Sequence, residues 1–165
     1  MTLGLDTDVI VSWAMSGAEH HEAARTLLRR EVRQAGHTLA CTPQVLFEFI
    51  HVVTDPRRFE RPMSMAKALD TARDFWDAPE TIRVLPGPLV MHRTLELLGE
   101  LKLGRKRILD TALAATFHQA GVTRLATLNG ADYKVFRFLE IVDPREPSPS
   151  RAAETGAAAA TDEEE

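Results

Sequence analysis

Five acidic side chains stand where carboxylates could do chemistry. Asp6 and Asp8 follow directly on the short apolar run Leu3-Gly4-Leu5. Glu48 is the only charge in the apolar stretch from Val45 to Ile50, and Asp110 precedes the small-residue run Thr111-Ala112-Leu113-Ala114-Ala115. Asp132 follows Leu125-Ala126-Thr127-Leu128-Asn129 after a Gly-Ala step. A helix apolar nearly all round is a buried one, and a buried carboxylate is costly without a partner. Taken singly, Glu48 is explained equally well by an arginine partner, and Asp110 by the favourable charge at a helix N-terminus. Taken together, several acids at one place repel one another unless a cation neutralises them. Donors that are all oxygen suit Mg²⁺, or Mn²⁺ as its substitute, and not zinc.

What must position these groups is legible in the alternation of short apolar runs with longer helical patterns. Leu3–Leu5 reads as a first buried strand, with Val9, Ile10 and Val11 continuing its apolar packing. Ser16 and Glu19 have the spacing of a capping box before a helix carrying Ala23, Leu27, Leu28 and Val32, closed by Gly36. Thr38–Cys41 is a second strand, and Thr42-Pro43 starts a helix from Gln44 to Val53. Ser64 caps a helix with Leu69, Ala72, Phe75 and Trp76 on one face. Residues 82–85 form a third strand, Pro88 starts a helix running towards Gly104, and residues 108–120 form another that Gly121 ends. Leu125–Thr127 and Ile141-Val142 complete five strands. Strands separated by helices imply an α/β fold with a short parallel sheet and helices on both faces. Ligands in such folds gather outside the carboxyl ends of the strands. Asp6 after the first strand and Thr127, Asn129 and Asp132 after the fourth would meet there.

Composition narrows the class. The 165 residues carry a net charge of −4, but residues 1–143 are balanced, with 18 acids against 18 Lys and Arg. The excess lies in residues 144–165, a Pro- and Ala-rich segment closing on Asp162-Glu163-Glu164-Glu165, which reads as a disordered acidic tail. Cys41 is the only cysteine, which excludes a disulfide framework and a Cys-based metal centre. No charged-then-apolar leader opens the chain and no apolar run approaches the ~18 residues of a bilayer span. The expectation is a soluble, cytoplasmic protein of one domain, residues 1–143, followed by the tail.

Four of these segments, in order, resemble the motifs of PIN domains. They are Asp6-Thr7-Asp8-Val9-Ile10, Leu46-Phe47-Glu48-Phe49, Asp110-Thr111-Ala112-Leu113-Ala114-Ala115 and the closing Leu125–Tyr133 segment. The size resembles that of VapC-type toxins of bacterial toxin–antitoxin modules. The resemblance implies a PIN-like three-layer fold and a Mg²⁺-dependent ribonuclease with Asp6, Glu48, Asp110 and Asp132 as its acids. Asp6 and Asp110 would be the metal ligands, with Thr7, Thr127 and Asn129 in support. Asn129 stands where many members carry Asp, so Asn129 and Asp132 are alternatives for completing the site. It also implies a homodimer and a small antitoxin that occludes the site.

Metal-assisted hydrolysis of a phosphodiester needs no imidazole base, and the six histidines read as surface or capping residues. Arg105-Lys106-Arg107, just before Asp110, is the cluster placed to hold RNA phosphates; Arg57, Arg58 and Arg61 form a second. Two other readings compete. Asp6-Thr7-Asp8 also fits the paired aspartates of a HAD-type phosphatase, though Glu48 then goes unexplained. A non-catalytic PIN-like binding module would explain Asn129 but leave clustered acids unused.

Overall fold

The computed structural model describes residues 1–146. Most of the expected acidic tail, residues 147–165, lies outside the described residues. The chain runs β1 (Thr2–Leu5), α1 (Thr7–Ala14), α2 (His21–Arg29), β2 (Thr38–Cys41), α3 (Pro43–Val53), α4 (Met65–Asp77), β3 (Thr81–Arg83), α5 (Pro88–Glu100), α6 (Ile108–Gln119), β4 (Arg124–Ala126), α7 (Gly130–Tyr133) and β5 (Glu140–Val142). All strand pairs are parallel and the order is β3-β2-β1-β4-β5. β1 is central: Gly4 pairs with Ala40 on one side and Leu125 on the other. Consecutive residues Leu3, Gly4 and Leu5 are all buried, so both faces of the strand are covered, as a parallel sheet requires.

Gly4 is needed for close approach. A Cβ there would stand 3.1 Å from both the Phe117 ring and the Arg124 carbonyl, so α6 could not lie as close to the sheet over any larger residue. At the other end of α6, Gly121 takes φ +70°. Its N–H and that of Val122 return to the His118 and Phe117 carbonyls, a left-handed C-terminal cap that glycine adopts at little cost.

Two local expectations are corrected. Val9, Ile10 and Val11 belong to α1, not to an extension of the first strand. Asp6 turns the chain by accepting from the Thr7 N–H at 2.8 Å, and the β-branched run is held helical because Val9 and Ile10 are fully buried. Packing here overrides propensity. Ser16 and Glu19 do not form a capping box: the helix starts at His21, with His20 at its N-cap and no side-chain cap. Elsewhere the caps are as expected, with Thr42 accepting from Val45 N–H and Ser64 from Lys67 N–H, both at 3.3 Å. The packed body also continues slightly past residue 143. Pro144 is buried, and the Arg145 guanidinium donates to the Leu128 carbonyl at 3.0 Å. Among the described residues, no helix is long and apolar enough to cross a membrane.

Candidate active site

The carboxyl ends of β1 and β4 are joined one residue beyond the strands, where Asp6 N–H donates to the Ala126 carbonyl at 3.0 Å. This brings Asp6 and Thr127 side by side. Thr127 Oγ1 donates to Asp6 Oδ2 at 2.8 Å and accepts from Asn129 N–H at 3.0 Å. Asp6 is only 9% exposed. Burial pushes its carboxyl up to about 6, against the donation from Thr127 and Thr7, and the nearby Asp110 charge adds to the rise.

Asp8 lies two residues on, in the first turn of α1. Its Oδ2 accepts from Leu128 N–H at 3.0 Å and from Asn129 Nδ2 at 3.1 Å, pinning the β4–α7 loop to α1. Its Oδ1 is buried without a partner. Burial and then the charge of Asp6 push this carboxyl up to about 7. Asp8 is therefore a clamp across the sheet end, holding the β4–α7 loop against α1.

Glu48 corrects an expectation. The helix around it is not buried all round: Phe47 is 70% exposed, and Glu48 is exposed beside it. α3 buries Val45, Leu46, Phe49, Val52 and Val53, and Glu48 faces the cleft, where Thr7 Oγ1 donates to its Oε2 at 2.9 Å. Gln44 Nε2 donates to the Leu109 carbonyl at 3.1 Å, tying the start of α3 to that of α6 and so Glu48 to the neighbourhood of Asp110. The Asp110 carboxyl is raised by burial, opposed by Arg107, and raised further by Asp132 and Glu48. Four acids from four elements thus feel one another.

These residues share one cleft of about 510 Å³, lined by Asp6, Thr7, Asp8, Glu48, Asp110, Asn129 and Asp132, with Tyr133 on its floor and Arg58 and Phe59 at its side. Tyr133 is buried; burial and the Asp6 and Asp110 charges hold its phenol protonated far above the usual range. The donor set is oxygen throughout, and mutually repelling carboxylates with raised pKa values fit a divalent cation. Among the described residues, no three acidic, His or Cys side chains already stand close enough to grip one ion.

The expected RNA-binding cluster divides. Arg105 and Lys106 are exposed, but Arg107 turns inward, its Nε 3.3 Å from Asp110 Oδ2 and its Nη1 3.3 Å from Asp132 Oδ1. It is a counter-charge for the acids, not an open phosphate site. From the second cluster, Arg58 lines the cleft, together with Phe59. Phe59 has no counterpart in the sequence reading, because proximity across the fold leaves no mark in local sequence. Among the described residues, no histidine lines the cleft: His21 Nδ1 lies 2.9 Å from the Ser12 carbonyl and His37 Nδ1 lies 2.8 Å from Glu31.

The PIN-domain sequence profile matches residues 4–139. The chain belongs to the PIN-domain family. That membership removes the HAD reading, which also asks for a lysine that the cleft lining lacks. Ribonuclease VapC24 of Mycobacterium tuberculosis is 27% identical over 143 residues, covering 86% of this chain and 96% of that protein. Among solved structures, VapBC2 of Rickettsia felis bound to a promoter DNA fragment matches with TM-score 0.59 at 18% identity, over 87% of this chain and 98% of that one. VapC20 of M. tuberculosis, described as a sarcin-ricin loop cleaving toxin, matches with TM-score 0.55 at 14% identity, over 74% of this chain and 86% of that one. At these identities the structural matches carry the PIN fold.

Proposed function

We propose that this PIN-domain protein is a metal-dependent endoribonuclease of the VapC toxin type, held inactive by a cognate antitoxin. The observation that carries the reading is the gathering of Asp6, Glu48, Asp110 and Asp132 from four separate elements onto one cleft at the carboxyl end of the sheet. The ribonuclease relative, which this chain matches over nearly its whole length, supports the same reaction class.

Asp6 and Asp110 would hold the ion, Mg²⁺ or Mn²⁺, with Glu48 and Asp132 completing the acidic ring. When bound, the ion neutralises the scissile phosphate and lowers the pKa of the attacking water. The chain's own part is to fix the acids. Thr127 holds Asp6 through one oxygen, and Thr7 holds Glu48. Asp8 and Asn129 lock the loop that carries Asp132, so between Asn129 and Asp132 it is Asp132 that offers a charge to the cleft and Asn129 that positions the loop.

Complexes of related folds, such as VapBC-1 of nontypeable Haemophilus influenzae, support an antitoxin as partner. Met91 and Leu95, about one turn apart on α5, are 64% and 59% exposed, apolar surface that fits a homodimer.

The deciding experiment incubates purified protein with mixed cellular RNA, with Mg²⁺ or EDTA, beside Asp6→Asn and Asp110→Asn. Discrete fragments that need Mg²⁺ and fall by about 10³-fold or more in both variants are expected, the order seen when a group acting in the transition state is removed. Undiminished cleavage by both variants would mean a contaminant or a different site.

A further inference from the structure

Arg107 is the residue whose placement the nuclease reading does not absorb. Its side chain is 21% exposed and lies between two acids of the cleft, with one nitrogen towards each. Its third nitrogen, Nη2, is buried with no partner. Its backbone carbonyl separately accepts from Thr111 Oγ1 at 2.6 Å, so the start of α6 is anchored without the guanidinium. The side chain is therefore free to serve the acids alone. It lies between Asp110 and Asp132, and among the described residues no three acids converge on one point.

We propose that Arg107 is a resident counter-ion, which a divalent cation must displace from Asp110 and Asp132 to load the site. This rests on the metal-dependent reading above. An acidic cleft with no cation would be unstable, and an internal guanidinium lets it fold in the absence of metal. The same contact sets a threshold: the ion competes with a charge-assisted hydrogen bond to Asp110 and an ion pair to Asp132 for the carboxylates it needs. Displacement leaves a guanidinium with all its donors open at the edge of the cleft.

Two substitutions test the displacement. Arg107→Gln removes the competing charge, and Arg107→Lys keeps a charge but not the fork that reaches both acids. Isothermal titration of EDTA-stripped protein with MgCl₂ is the primary readout, with thermal stabilisation by Mg²⁺ as its check. Loss of two partly screened pairs predicts a Mg²⁺ Kd tighter by about five-fold in Arg107→Gln, with Arg107→Lys between it and the wild type. A residue that merely props up the acids would do the opposite, so an unchanged or weaker Kd in Arg107→Gln overturns the proposal. If that variant does not fold, the wild type still decides. The Arg107 Nε–H resonance, assigned by its loss in Arg107→Lys, should move towards that of free arginine as Mg²⁺ is added. A resonance that stays fixed through saturation overturns the displacement while leaving the metal site intact. Absence of any Mg²⁺ binding to the wild type overturns the metal reading itself, and the displacement with it.

Discussion

The two ends of strand β4 hold acids that burial pushes the same way, with opposite results. At the amino end, Glu31 is 4% exposed and is met by Arg124 Nη1 at 3.0 Å, His37 Nδ1 at 2.8 Å and Arg30 Nη2 at 3.4 Å. Burial pushes its carboxyl up, but donation from Arg124 and His37 outweighs it, and the group ends below the usual range. At the carboxyl end, Asp6 and Asp8 meet hydroxyls and amides but no cation, and both end far above it. Burial raises all three carboxyls; it prevails at Asp6 and Asp8 and is overcome only where cations face Glu31. The first arrangement is closed and contributes to stability. The second leaves Asp6 and Asp8 without a cation of their own, Arg107 being turned to Asp110 and Asp132.

The largest way to break the closed end is Glu31→Gln. Removing one partner of a buried pair strands the other, at a cost of about 2–4 kcal/mol. For a domain of this size the Tm should fall by roughly 5–15 °C, in scanning calorimetry with EDTA present. RNA cleavage per folded molecule should be unaffected, since Glu31 lies at the far end of the sheet from the cleft. A Tm within 2 °C of the wild type, on the same size scaling, would show that the network carries no net stability.

The open end should respond to pH in the opposite sense. Asp6 and Asp8 bind protons more tightly folded than unfolded, so their contribution is present in acid and is lost as pH rises from about 4 through about 7. Glu31, with its lowered pKa, loses its contribution as pH falls through that lowered value. Asp8→Asn keeps the shape and cannot ionise. Metal-free Asp8→Asn should therefore be more stable than the wild type at pH 8, by about 1–2 kcal/mol, while the two converge near pH 5. Mg²⁺ should narrow the gap at pH 8 by stabilising the wild type more than the variant. A variant less stable at both pH values would mean that the clamp on Leu128 and Asn129 outweighs the buried charge.

This contrast also explains what the sequence made legible. The acids of the cleft each follow a strand or sit in an apolar helix, so their types and spacing are unusual along the chain, and the parallel α/β topology then gathers them. The strand–helix alternation survives because each period is local. What was hidden depends on contacts between distant residues. Val9-Ile10-Val11 has strand-like composition, and only burial against other helices makes it α1. Glu48 looks buried because its neighbours in sequence are apolar, whereas its neighbours in space are the cleft and Thr7. Arg107 looks like one of three equivalent cations until Asp132, 25 residues on, is folded against it. The Glu31 network, joining residues 93 positions apart, has no local signature at all.

The smallest expected effect concerns which cations face the open end. Arg57 is forked onto Asp55, with Nε at 3.1 Å and Nη2 at 3.2 Å, while Arg58 only reaches Asp55 at 4.0 Å and lines the acidic cleft with Phe59. Phe59 also borders a second cavity of about 560 Å³ lined by Arg61 and Lys67 and by the acid Glu60. A strand leaving the acids on that side would meet a cation, an aromatic ring and two further cations, a sequence of contacts that suits single-stranded RNA. Binding of a short RNA is best measured in the Asp110→Asn background, where the probe survives. Arg58→Gln should weaken it by a few-fold and reduce the salt slope by about 0.7, the value for one phosphate contact on a single strand. Arg57→Gln should do less, its charge being already engaged. Should the double change Arg105→Gln and Lys106→Gln flatten the slope more than Arg58→Gln does, the strand leaves by the α6 side. The open end would then be served by the cations next to it in sequence, as its acids are not.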